Sequence, residues 1–245
     1  KPWQYCNDQH KWIQEEDSHS KCYEMIEKLR IITYNVWFDK AHWKLRARSL
    51  LEILFERDPH VMCLQEVTED FLCVALTQPW IRDNYIVSHS EVASDWHDYA
   101  VVMFVKKGFG VSAFNEYELE SKYDRLACAA ELHLRGTHMV FTTSHLDSNR
   151  QNSSYRSQQI EQIQHLLLPK SQPRSRRVSP GLHPQRSVRD ASDGRKNRMA
   201  VQDSGVVVFC GDFNFCSRLL LSSSLVVVVV VVVLLLMMVG VLLSL

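Results

Sequence analysis

No excess of charge of either sign marks this sequence: lysine plus arginine number 28, and aspartate plus glutamate number 28. A net positive field that would gather nucleic acid from a distance is therefore excluded, and any polyanion must be held by a local groove. A regular ladder of cysteines is also missing. The seven present make an odd set, and Cys63, Cys128 and Cys210 lie in apolar runs where a thiol behaves as a small hydrophobe. A disulfide-stapled secreted scaffold is excluded, and an intracellular, reducing compartment, nucleus or cytoplasm, is expected. The opening KPWQYCNDQHKW has neither a basic stretch followed by an apolar one nor an arginine-rich amphipathic character, so no secretory or transit signal is read there. The missing initiator methionine reads as the mark of a fragment.

At 245 residues and 46% hydrophobic, the chain has enough apolar material for one sizeable core. Residues 1–29 are polar and aromatic, an N-terminal extension with Trp3, Tyr5 and Trp12 as anchors. A β-branched strand over 30–36 opens the domain proper. Ala47, Leu50, Leu51, Leu54 and Phe55 then recur at helical spacing and predict a helix over 41–57 lying on a core, ended by Asp58-Pro59. Val61 to Leu64 is apolar on both faces, the pattern of a central strand covered on each side, and it delivers Gln65-Glu66 at its carboxyl end. Further strands are expected at 85–88, 99–105, 111–119, 126–134, 138–144 and 206–211, with a helix over 150–168 that faces Ile160, Ile163 and Leu167 inward. The order predicts an α/β two-sheet sandwich flanked by helices.

Two segments depart from that pattern. Residues 169–205 are rich in serine, arginine and proline with too little apolar surface to offset the entropy of ordering, and they read as a disordered basic insertion. Residues 219–245 are a charge-free valine and leucine run long enough for a bilayer, with Arg218 on the cytoplasmic side. Homopolymeric valine lacks the aromatic belts of evolved spans, so an aberrant tail is the preferred reading, and a membrane is a partner only if that tail is genuine. Cys6, His10, His19 and Cys22 offer four zinc donors, but at a spacing that matches no familiar finger.

Cleaving a phosphodiester requires a cation, a positioned water, a group to activate it and donors for the charge on the non-bridging oxygens. Four islands place such groups at predicted strand ends: Thr33-Tyr34-Asn35, Leu64-Gln65-Glu66-Val67, Thr143-Ser144-His145-Leu146-Asp147-Ser148 and Gly211-Asp212-Phe213-Asn214. Singly, each is more often a turn or a solvated strand end. As an ordered set over about residues 30–168 and 206–216, they resemble the endonuclease/exonuclease/phosphatase superfamily, and the Thr-Ser-His-Leu-Asp-Ser form is similar to its 5′-tyrosyl-DNA phosphodiesterase branch.

The resemblance implies a four-layer α/β/β/α sandwich of the DNase I-like type, incomplete at the C-terminus. Its first part would be residues 30–168 and its continuation 206–218. It implies a hydrolase in which Glu66 binds magnesium, with manganese as the alternative, and no small-molecule cofactor takes part. Asp212 would activate the water, with Asn214 beside it, while Asn35 and His145 complete the catalytic set. Tyr99, Arg125 and Ser148 would bind substrate. The implied partner is DNA carrying a 5′ adduct, the protein a monomer, and the role DNA repair. Trp37 stands where close relatives carry aspartate, and no Asp-His follows Asn214. A truncated form with little activity is therefore expected, the alternatives being another nuclease or phosphatase of the superfamily or a non-catalytic remnant.

Overall fold

The computed structural model describes residues 2–14, 28–90, 98–134, 137–167 and 206–214. The basic insertion, the valine-rich tail, residues 215–218 of the expected domain continuation, and His19 and Cys22 of the four-donor set lie outside the described residues.

The strands are β1 (Trp3–Cys6), β2 (Lys11–Gln14), β3 (Ile31–Asn35), β4 (Val61–Val67), β5 (Tyr85–Val87), β6 (Ala100–Lys106), β7 (Val111–Glu118), β8 (Leu126–Leu134), β9 (Thr137–His145) and β10 (Val206–Asp212). The helices are α1 (Trp43–Arg57), α2 (Glu69–Leu76), α3 (Pro79–Asn84) and α4 (Ser153–Leu167), the last preceded by a 3-10 turn at Arg150–Asn152. One sheet runs β2-β1-β5-β6-β4-β3 and the other β10-β9-β8-β7. In the first, β3 is parallel to β4; in the second, β10 is parallel to β9; the remaining pairs are antiparallel.

Strand β4 shows how the layers arise. Its residues alternate between faces: Met62 and Leu64 pack with Leu50, Leu51 and Leu54 of α1 and Phe71, Leu72 and Ala75 of α2, whereas Val61 and Cys63 pack with Phe141, Val208 and Cys210 across the inter-sheet space. On the far face of the second sheet, Ala127, Ala129 and Val140 meet Ile163 and Leu167 of α4. Helix, sheet, sheet, helix is the two-sheet sandwich flanked by helices that the order of elements predicts, and the four-layer arrangement that the resemblance implies. Each fully buried aliphatic side chain in these clusters contributes roughly 1.5–3 kcal/mol of transfer free energy.

Three local expectations change. Phe55, placed on the inward stripe of α1, is 60% exposed and lies instead against Trp80, ring centroids 5.9 Å apart. Its angular offset from Leu51 and Leu54 carries it past the edge of the buried face. Residues 3–14, read as an extension outside the domain, form a hairpin whose β1 pairs with β5 and widens the first sheet; four-residue strands are too short to show a clean alternation. Helices α2 and α3 are additional. Thr68 caps α2 by accepting from the Phe71 amide, with Glu69 and Asp70 in its first turn, and Pro79 opens α3.

His60 joins the start of β4 to its neighbours: its amide donates to the Arg30 carbonyl, its carbonyl accepts from Lys106, and its Nδ1 accepts from the Arg30 amide at 2.8 Å. Burial, then the charges of Arg30 and Lys106, push its pKa from the ordinary 6.5 down to about 4. The folded state thus binds fewer protons than the unfolded chain in this window, so stability present above pH 6.5 is lost as pH falls toward about 4. Urea titrations at pH 7, 5.5 and 4.5 are expected to show a steeper acid loss in the parent chain than in His60→Asn.

Candidate active site

Four residues remote in sequence meet at the carboxyl ends of β3, β4, β9 and β10. The parallel registers bring them there: Asn35 is level with Gln65 across β3 and β4, and His145 with Asp212 across β9 and β10. The Asn35 amide nitrogen donates to both Glu66 Oε1 at 2.8 Å and Asp212 Oδ2 at 2.9 Å, so one carboxamide links the two sheets. His145 lies beside the pair, Nδ1 3.8 Å from Glu66 and Nε2 3.7 Å from Asp212, both longer than hydrogen bonds.

The backbone is shaped for this meeting. Between Leu64 and Val67 the register of β4 against β6 shifts, and Glu66 takes a left-handed φ of 55°. A bulge of this kind redirects a side chain at the cost of local strain. Strand β4 therefore carries the Gln-Glu pair inside a bulge rather than beyond its end. Gly211 is required for a different reason: a Cβ there would run into the Ser144 carbonyl of β9. Below the rim, Gln65 is buried and its amide nitrogen reaches Thr33 Oγ1 and Thr143 Oγ1, each at 3.0 Å, and the Cys63 carbonyl at 2.9 Å. That clamp fastens the two sheets directly beneath the carboxylates.

The polar surroundings set the charge of each group. Arg125 is buried; its Nη1 donates to the Tyr99 hydroxyl at 3.1 Å and lies 3.2 Å from His145 Nδ1. A guanidinium has only donors, so Nδ1 is the acceptor there and the imidazole proton sits on Nε2, toward Asp212. Burial and then Arg125 push the His145 pKa down, against the opposing pull of Asp212, Glu66 and Asp147. The imidazole is neutral at pH 7. Among the described residues, no lysine or arginine forms an ion pair with Glu66 or Asp212. Two carboxylates, one of them 8% exposed, thus face an amide and an uncharged imidazole, a donor set that suits a hard cation retaining most of its water. Among the described residues, no three His, Cys, Asp or Glu side chains are grouped so as to hold a metal ion by themselves.

The other expected residues divide. Tyr99 and Arg125 line a cleft of about 340 Å³ that reaches His145 and includes Lys122 and Tyr123. Asn214 adjoins Asp212, its amide donating to Asp212 Oδ1, while one hydrogen of its side chain is committed to the Leu146 carbonyl. Ser148 stands apart: among the described residues no side-chain bond joins it to the cluster, and its carbonyl accepts from Asn152. Its neighbour Asp147 is the inward residue, bound by Ser121, the Lys122 amide and Gln159. Burial pushes the Asp147 carboxyl up, but those donors and Arg125 together hold it below the usual range. Gln159 and Arg156, three apart on the buried face of α4, hold this loop; polar residues on an otherwise apolar helical stripe are the sequence signal for them.

A family model described as the Endonuclease/Exonuclease/phosphatase family matches residues 32–236. No sequence among the curated proteins matches. Among solved structures, the chain is similar to D. rerio TDP2 humanised by 14 mutations, with 21% identity, a TM-score of 0.54, and coverage of 77% of this chain and 63% of that one. It is similar to D. rerio TDP2 complexed with single-strand DNA product, at 21% identity and a TM-score of 0.54 over 78% of this chain and 62% of that one. It is also similar to ANGEL2, a 2′,3′-cyclic phosphatase, at 16% identity and a TM-score of 0.53 over 78% of this chain and 54% of that one. The chain spans less than two thirds of the length of each, and the likeness is one of fold.

Proton NMR of the chelator-treated protein is expected to show His145 titrating below 6.5. Arg125→Gln should raise that midpoint by removing a nearby positive charge, and Asp212→Asn should lower it by removing a negative one.

Proposed function

Because this chain belongs to the Endonuclease/Exonuclease/phosphatase family, whose members are hydrolases that generally use divalent metal ions, we propose that it hydrolyses phosphodiester bonds at blocked 5′ ends of DNA. The observation that carries the reading is the Asn35 carboxamide bonded to Glu66 and Asp212 at once, with His145 against both.

In this reading Glu66 holds magnesium, or manganese in its place, with Asn35 and Asp212 within reach of its water shell. The ion, when bound, supplies positive charge against the phosphate oxygens. Asp212 takes the proton of the attacking water as its oxygen bonds to phosphorus and the bond to the adduct oxygen breaks. Asn35, anchored through its oxygen to the Trp37 amide, keeps Asp212 oriented. Neutral His145 donates from Nε2, and Arg125 offers the phosphate a buried guanidinium whose Nε makes no hydrogen bond in the described structure. Tyr99 braces that guanidinium, and the second amide hydrogen of Asn214 is available to substrate. The corresponding partner is 5′-adducted DNA, and the corresponding state a monomer inside the cell.

The DNA assignment is supported by the fold shared with a TDP2 that holds single-strand DNA product. A second reading, opening of a 2′,3′-cyclic phosphate, is supported by the comparable likeness to ANGEL2.

The test is turnover by the full chain on 5′-phosphotyrosyl DNA and on RNA ending in a 2′,3′-cyclic phosphate. Turnover is expected to be slow, because no Asp-His follows Asn214, and faster on the first than on the second, with loss in chelator and restoration by magnesium. Asp212→Asn is expected to lower kcat by at least about 100-fold, the scale of general-base catalysis, and Glu66→Gln to remove the metal response. Activity that persists in chelator or in Asp212→Asn sinks the reading, and preference for the cyclic phosphate moves it to the second.

A further inference from the structure

Directly after Asn35 the chain presents two large aromatic side chains to solvent, Trp37 at 47% and Phe38 at 45% exposure. Other apolar side chains such as Leu45 and Phe55 are exposed as well; what distinguishes these two is that they adjoin each other and the polar rim, the setting in which exposed apolar surface serves binding. Both residues are set by the active site itself: the Trp37 amide donates to Asn35 Oδ1 at 2.8 Å and the Phe38 amide to Glu66 Oε2 at 3.0 Å. From the other side the loop is held by Arg46, whose guanidinium lies 4.5 Å from the Trp37 ring centroid and donates to the carbonyls of Trp37, Asp39 and Ala41. Trp37 adopts a left-handed φ of 60° to make these bonds, a conformation that is uncommon for a bulky residue. The Phe38 ring continues onto Tyr99, centroids 4.9 Å apart at 31°, and Tyr99 onto His145 at 6.1 Å. A row of rings thus leads from the surface to the carboxylates.

We infer that Trp37 and Phe38 form a stacking platform for an unpaired nucleobase adjoining the phosphate under attack, so that the substrate class is a single-stranded nucleic acid end. The inference rests on the hydrolase reading above and adds the strand state of its substrate. A base inside a duplex has both faces covered by its neighbours and a terminal pair is held rigidly to its partner, whereas the base of a single-stranded end is free to turn a face onto an exposed ring. With 28 basic and 28 acidic side chains, the chain lacks a long-range positive field, so stacking on exposed rings adds to the affinity that local contacts such as Arg125 give.

The full chain carrying Asp212→Asn, so that nothing is cut, is titrated in magnesium buffer with a thymidylate strand about six nucleotides long and with an abasic strand of equal phosphate count. The thymidylate is expected to bind at least roughly tenfold more tightly, the scale of one stacked base. Trp37→Leu, which keeps apolar volume but no ring, should bring the two affinities to within about twofold, while Trp37→Tyr should retain most of the preference. Equal affinities in the Trp37 chain, binding of neither strand, or a preference that survives Trp37→Leu combined with Phe38→Leu overturns the platform. A preference that holds while the turnover assays fail leaves the platform standing and removes the hydrolase reading.

Discussion

Glu66 from one sheet and Asp212 from the other accept hydrogen bonds from the same Asn35 nitrogen, and the rest of the fold is arranged so that two like charges can be held at that point. Like charges that share one donor repel, and the more so away from bulk water. A single neutral amide cannot offset that in full. The neighbouring imidazole does not help at neutral pH, because burial and Arg125 hold His145 uncharged. The rim is thus short of positive charge by design of its own residues, which is the condition that makes a hydrated divalent cation its natural complement.

Holding such a rim demands a rigid base, and the base is the inter-sheet layer. Gln65 ties Thr33 to Thr143 one residue beneath Glu66. The Cys63 and Cys210 sulfurs approach to 3.3 Å within the same layer. Gly211 lets β10 lie against Ser144 closely enough for Asp212 to stand level with His145. Each device acts on strand spacing or register, and each lies within three residues of a carboxylate. A buried core tolerates few alternative arrangements, so the position of the two acids follows from how the two sheets seat on one another.

Substrate-facing features are built outward from the same point. The Asn35 oxygen and the second Glu66 oxygen, unused in the bridge, fix the backbone of Trp37 and Phe38. Asp147, bound by Ser121, Lys122 and Gln159, steadies the segment that carries Arg125 and the strand that ends in His145. Cation, phosphate and base would therefore be received by groups that share hydrogen bonds with one another, so a change at one is felt at the others.

Most of the fold was legible in the chain itself. The unbroken apolar run of Val61 to Leu64 and the spacing of Ala47, Leu50, Leu51 and Leu54 declare which faces are buried, because side-chain direction in strands and helices is a local property. The four polar islands at strand ends announced Asn35, Glu66, His145 and Asp212 as candidates. Their meeting was implied only by the family resemblance and not by spacing or periodicity, since it depends on β3 pairing with β4, β10 with β9, and the two sheets stacking, all non-local events. Nor were the burial of Asp147, the turn of Phe55 away from the core, or the bulge that aims Glu66 legible in the chain. Those depend on where a twisted strand runs out of partners, and only the packed tertiary structure decides that.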